Sequence, residues 1–390
     1  MKVTIKKGGD KMKKLISILL SCALLSAATS CEKINHMDDI DDNTYSTPST
    51  ETSEPIDDKI NTDSVDTSNP EDDKLDNTDS VQYSNMEFYS NGDGTCSVGS
   101  LGLADILDVV IPPISPSGDV VTRVICGYDT HPLVTSVVIP NTVTKIHNSA
   151  FFGMNSLKEV FIPNSVTEIG PSVFEGLQCL ESIVIPGSVK TIGEKAFKDC
   201  TNLKSVTLSD GIQEIGDLSF CYCVNLKSIE IPDSVTNIGY GAFGDCTNLE
   251  NIKLSNNITT IPSSMFYNCV KINNIVIPNT VTSIEKSAFH LCENIENIII
   301  PNGVTNIEAL AFVRCKSLVS ITIPKSVKTI QIRVFAECDK LSNIYFDGTI
   351  EEWNAIDKEE NWDKSFLFHE WVMRNVTIHC SDGKFIHTAE

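Results

Sequence analysis

Apolar and polar positions follow one fixed order that repeats every 23 residues from Val134 to Phe346, ten times and without a slip. The clearest copy is Leu226 to Asn248, LKSIEIPDSVTNIGYGAFGDCTN. Branched aliphatics at alternate positions, such as Ile229 and Ile231, predict a short strand, because such side chains suit a pleated surface. The proline that follows, here Pro232, removes a backbone donor and ends the strand. A second extended piece comes next, Val235 to Ile238. Then a glycine such as Gly193 or Gly239 admits a tight bend, and the Ala-Phe step after it fits one short helical turn. Phenylalanine is never missing from its column: Phe151, Phe174, Phe197, Phe220, Phe243, Phe266, Phe289, Phe312 and Phe335. A cysteine column runs from Cys200 through Cys223, Cys246, Cys269, Cys292 and Cys315 to Cys338, with Met154 and Leu177 ahead of it.

One such unit cannot bury its own apolar side chains. Stacked units can, because each column then meets its own copy above and below. The pattern therefore predicts an α/β repeat solenoid, mostly β, with short parallel strands and short turns or helices wound as a right-handed superhelix. Parallel strands stack at about 4.8 Å, so ten coils make a rod roughly 45–50 Å long. The bend glycine is replaced at His147, Pro262, Glu285, Glu308 and Gln331. Those bends are expected to differ in shape over an unchanged core.

The unit LxxIxIPxxVxxIGxxAFxxC resembles the BspA-like class of bacterial surface leucine-rich repeats, over the whole of 134–346. The resemblance implies a leucine-rich-repeat superhelix that is secreted or carried on the cell surface. It also implies non-catalytic binding of host or neighbouring-cell molecules.

The flanks set the rest of the domain plan. Residues 1–30 read as a lipoprotein-type export signal: Lys11, Lys13 and Lys14 precede an apolar run from Leu15 to Ala28, which is too short for a membrane span. Ala28-Thr29-Ser30-Cys31 resembles a bacterial lipobox, in which Cys31 carries the lipid and becomes the mature N-terminus. The plainer alternative is ordinary signal cleavage with Cys31 incidental. Residues 31–85 are expected to be a disordered acidic tether, with 16 acidic residues against Lys33, Lys59 and Lys74. Residues 86–133 form a divergent N-terminal cap and residues 347–390 a C-terminal cap. In the latter, Thr349 with Glu352 predicts a capping box and a helix to about Ile356. Trp353 falls in the isoleucine column and is expected to cover the last coil, and Val376 to Cys380 to close it as a strand. Trp362, Phe366 and Trp371 are expected to pack in this cap, with an exposed aromatic carbohydrate platform as the sharper alternative.

The formal net charge is −22, and removing the +5 of the signal (six lysines, one aspartate) leaves −27. Such a surface argues against nucleic acid and against electrostatic docking on anionic lipid, so a lipid anchor is the expected route to a membrane. The cysteine column is in line, one per unit, all pointing one way. It lacks the paired spacing of a zinc site, and Cys221 with Cys223 is only Cys-x-Cys. Buried, unreactive thiols are expected. No nucleophile elbow, phosphate loop or His-Glu-x-x-His is present. His379 and Cys380 adjoin, but neighbours on a strand point to opposite faces. No catalytic residue, metal or other cofactor is expected.

Binding chemistry is expected on the outward side of the first strands. One outward column is polar: Ser136, Glu159, Ser182, Ser205, Ser228, Asn251, Asn274, Asn297, Ser320 and Asn343, which suggests a hydrogen-bonding ladder. A second varies and carries Val138, Phe161, Val184, Val276, Ile299 and Tyr345, the candidate binding face. Strand propensity alone would also place β-branched residues there. The expected function is adhesion to a host or bacterial surface protein or a polysaccharide, by a monomer. The rivals are an envelope scaffold without external ligand and a glycan-active enzyme with its site in the C-terminal cap.

Overall fold

A computed structural model of the chain describes residues 86–102, 107–127, 133–363 and 375–388, and the backbone alone at 365–367 and 370–372. The export signal, Cys31 and the tether lie outside the described residues, as do the side chains of Phe366 and Trp371.

Each 23-residue unit makes one coil, and coil pairs with coil in parallel and in register. Among the first strands, Val206 pairs with Ile183 and Thr207 with Val184. The second strands are only two residues long and behave alike: Thr191 pairs with Glu214 and Ile192 with Ile215. Shifting by one whole unit sets every column against itself, which supplies the burial a lone unit lacks. All nine column phenylalanines are sealed from solvent. Their rings form one stack, with successive centroids 5.0 Å (Phe174–Phe197) to 6.2 Å (Phe243–Phe266) apart and planes within 24°.

The Ala-Phe step is not helical. Two consecutive turns replace the expected helical turn, closed by Ala196 N–H to the Gly193 carbonyl and Cys200 N–H to the Phe197 carbonyl, both at 3.2 Å. Lys195 (φ 56°) and Asp199 (φ 60°) are left-handed, a conformation that L-residues do not propagate as helix. The same two positions are left-handed from Ser149 and Gly153 to Arg333 and Glu337. This geometry turns every second N–H toward the neighbouring coil. Lys195, Phe197 and Asp199 donate to the carbonyls of Asp217, Ser219 and Cys221 at 2.8, 2.7 and 2.9 Å. A helical turn would have aimed those donors along its own axis.

The bend glycine serves a different purpose from the one its position suggests. Neither Gly193 nor Gly216 has a positive φ. A methyl group on Gly193 would lie 2.4 Å from the carbonyl carbon of Gly170, and one on Gly216 2.7 Å from the nitrogen of Glu194. Close approach of coil to coil, not backbone freedom, requires glycine. At three of the five replacements a side chain does the joining, whereas His147 reaches the previous coil through its backbone N–H to the Val124 carbonyl. Glu285 accepts from the Ser263 N–H (2.9 Å), Glu308 from the Lys286 N–H (3.1 Å) and Gln331 from the Ala309 N–H (2.8 Å). Pro262 stands between the two regimes. It lacks the N–H with which Gly239 and Glu285 reach the Ile215 and Ile261 carbonyls. The second-strand sheet is divided at that coil, between Asn237–Ile238 and Thr260–Ile261. The core columns run through unchanged.

Both ends are closed. At the N-terminal end Asp108–Val110 pairs with Ser136–Val138, 28 residues on, and the antiparallel pair Glu87–Ser90 and Thr95–Ser100 covers the second-strand edge. At the C-terminal end the capping box on Thr349 starts the helix Ile350–Asn354. That helix displaces Trp353 from the isoleucine column, where Lys358 instead pairs with Ile330. Trp353 is buried edge-on against Phe346, 5.4 Å away. Trp362 is buried edge-on against Phe335, at 5.9 Å and 82°, which ends the ring stack. Packing, rather than an exposed platform, is the role of Trp362. Asn375–Cys380 joins the first-strand sheet, and Gly383–Thr388 pairs antiparallel outside it.

A candidate ligand-binding face on the first strands

The first strands alternate buried and exposed residues, so each lifts one side chain of the variable column off the core. Phe161 is 53% exposed, Val184 55%, Val276 76%, Ile299 70% and Tyr345 44%. Val138 is half-buried. Five of the six candidate residues are thus large apolar groups facing solvent on one side of the solenoid.

The column is not one continuous patch. Val138 lies between Val110 and Phe161 in register. Val184 starts the next block of strands, in the coil joined to that of Phe161 through the second strands Glu168–Ile169 and Thr191–Ile192. Thr207 follows, then Glu230 and Lys253, which form an ion pair across adjacent strands. Donating a hydrogen bond to the Glu230 carboxylate raises the pKa of the Lys253 ammonium. Beyond this charged pair, at the coil of Val276, the first-strand pairing narrows to the bridge Asn251–Asn274, while the second strands stay paired. Ile299 opens the last block, in which Ile299, Thr322, Tyr345 and His379 occupy successive strands in register.

His379 belongs to this face. Its ring stacks on Tyr345, with centroids 4.7 Å apart and planes at 21°, and its Nε2 lies 2.8 Å from Asn343 Oδ1. The 36-residue separation of Asn343 and His379 breaks the 23-residue spacing, so the period alone does not reveal the pair. The polar column forms its ladder only in pieces: Ser136 to Asp108 at 2.8 Å, Ser320 to Asn297 at 2.7 Å, and Asn343 to His379.

The cysteine column faces inward. Each thiol donates to the carbonyl of the phenylalanine one coil back, as Cys200 to Phe174 (3.0 Å) and Cys269 to Phe243 (3.0 Å). Burial pushes the Cys200 thiol up to about 12 and holds those of Cys223, Cys246 and Cys269 well above the ordinary thiol value. A buried thiol that stays protonated is a poor nucleophile. Among the described residues, no three His, Cys, Asp or Glu gather closely enough to hold a metal ion. No described helix is long and apolar enough to cross a membrane.

A family model of the BspA type leucine rich repeat region matches residues 128–249, 167–290 and 259–356, in six copies. Together these spans cover more than half of the chain. A solved leucine-rich repeat protein of Bacteroides ovatus is 25% identical with a TM-score of 0.54, over 71% of this chain and 79% of its own. A leucine rich cell surface protein of Faecalibacterium prausnitzii is 25% identical with a TM-score of 0.35, over 70% of this chain and 96% of its own. The pneumococcal vaccine antigen PcpA is 19% identical with a TM-score of 0.46, over 71% and 84%. No curated protein matches.

Proposed function

The chain belongs to the BspA-type leucine-rich repeat family, generally proteins of the bacterial surface, and from that premise we propose that it is a non-catalytic adhesion protein. Its partner is a protein or polysaccharide on a host or neighbouring cell. The observation that carries the reading is the exposure of Phe161, Val184, Val276 and Ile299 on one face of the solenoid. Apolar side chains cost little when scattered, but gathered on one face they mark a surface that a partner covers. The strand neighbours of Val184 and Ile299 are buried and Val160 beside Phe161 is half-buried, so the face can change with little effect on the core. Lipidation at Cys31 and the acidic tether at 31–85 would hold this face away from the membrane, as a monomer.

The test uses the full chain displayed on cells and a panel of immobilised matrix proteins and glycans. Phe161→Ser with Val184→Ser should lower capture at least tenfold while Tm stays within about 2 °C. Undiminished capture by the double variant would remove this face from the account. Protease inaccessibility of the chain on intact cells would favour an internal scaffold instead.

A further inference from the structure

Resting on that reading of the face, we propose that a slot between Ile299 and Tyr345 binds one pyranose ring of a neutral glycan. A cavity of about 220 Å³ opens there, lined by Ile299, Asn302, Thr322, Pro324, Tyr345 and Asp347. Ile299, Thr322 and Tyr345 lie in register on three consecutive strands. Parallel strands stand about 4.8 Å apart, so the two walls are separated by about 9.6 Å, with Thr322 as the floor. Apolar contact needs roughly 4–4.5 Å on each side, which leaves room for one ring thickness and not for two.

The aromatic wall is set before any ligand arrives. His379 covers one face of the Tyr345 ring and is itself held by Asn343. The short Thr322 side chain leaves the other face to the slot. A side chain already fixed loses little entropy on binding. The variable column offers one comparable gap, at Thr207 between Val184 and Glu230, and it has no aromatic wall.

The rim selects the ligand class. Asn302 offers both a donor and an acceptor, Thr322 a hydroxyl and Asp347 an acceptor. One carboxylate among neutral donors and acceptors suits a ring of neutral hydroxyl groups. A net charge of −22 disfavours acidic sugars. The apolar ring face of a pyranose would lie on Tyr345, and its hydroxyls would meet the rim. The volume is below that of sites for larger ligands, which run to about 300–1,000 Å³, and matches a single ring.

Isothermal titration of the full chain with maltohexaose, cellohexaose, xylohexaose and N-acetylchitohexaose tests the assignment. At least one should bind. Thr322→Leu, which fills the slot, and Tyr345→Ala should each weaken that binding tenfold or more, while Tyr345→Phe stays within threefold and Thr207→Leu changes nothing. Absence of binding to all four sugars overturns the proposal, as does unchanged affinity in Thr322→Leu. Binding of hexagalacturonate alone overturns the neutral class, and displacement by a tryptophan-containing peptide with no sugar effect assigns the slot to protein side chains instead. Capture of a surface partner that persists in Thr322→Leu while no sugar binds refutes the slot and leaves the wider face standing.

Discussion

The thiol of Cys246 donates to the carbonyl of Phe220, one coil back and 3.2 Å away. The same carbonyl already accepts the Cys223 N–H at 3.2 Å, so the sulfur fills its second lone pair. Cysteine suits this place because it is small, apolar and still a weak donor. Sealed and protonated thiols should not react. Iodoacetamide at pH 7.5 should leave Cys200, Cys223, Cys246, Cys269 and Cys292 unmodified in the native protein and label all of them in guanidinium, as read by peptide mass. Rapid native labelling of several would contradict the burial described.

The same burial makes the fold sensitive to alkali. The folded Cys200 thiol holds its proton to about 12 and burial likewise holds Cys246 well above its ordinary value, whereas the unfolded thiols release theirs near 9.0. The folded state therefore binds more protons in this window. The stability these thiols contribute is full below pH 9 and falls as pH rises through the folded values. Each thiol adds a slope of about 1.4 kcal/mol per pH unit. Cys200→Ala should show a loss between pH 9 and 11 that is shallower by about that amount, measured as urea midpoint against pH. Parallel curves for the two proteins would rule this out.

His290 gives the opposite dependence at the acid end. Its ring packs edge-on to Tyr267, 5.2 Å away. Burial first, then the Arg314 charge, lowers its pKa to about 4, against a smaller opposing pull from Glu337. The unfolded histidine protonates below 6.5, so between pH 6.5 and 4 the unfolded state binds the extra proton and stability falls. The loss is at most about 3 kcal/mol. His290→Gln should flatten this part of the stability curve while changing little at pH 7.5. A variant that keeps the full acid loss would place its origin elsewhere.

Coil-to-coil contact at the bend separates two classes of substitution. Gly193→Ala puts a methyl into the backbone of Gly170, and an overpacked backbone contact costs about 1–3 kcal/mol. Glu308→Ala leaves the Lys286 N–H without its acceptor, but at an exposed position where water replaces it, so about 0.5–1 kcal/mol is expected. Thermal unfolding of both variants checks the order, and a Gly193→Ala protein as stable as the parent would show that the coils can spread.

The columns were legible because the period never slips, and an unslipped period admits one parallel register. The turns were not. Ser172, Lys195, Leu218 and Tyr222 are left-handed without being glycine, and only the N–H bonds to the next coil explain that choice. Gly193 reads locally as a flexible bend, yet its reason lies 23 residues away in Gly170. Trp353 fits the isoleucine spacing, but the helix Ile350–Asn354 adds residues and hands that place to Lys358. Of the face, Phe161, Val184, Val276 and Ile299 followed from alternation alone. His379 did not, because strand order rather than spacing brings it to Tyr345.

The change of joint at Pro262 divides the units into two kinds that cannot be traded. Within Gly170 to Gly239, excising or duplicating one 23-residue block again sets a glycine close against the coil before it. From Glu285 to Gln331 the same operation hands each acceptor a fresh amide of the right kind. A crossover that fuses one kind to the other sets a carboxylate where only hydrogen fits. Length in this protein can therefore drift by whole blocks on either side of Pro262, but recombination across it leaves a scar.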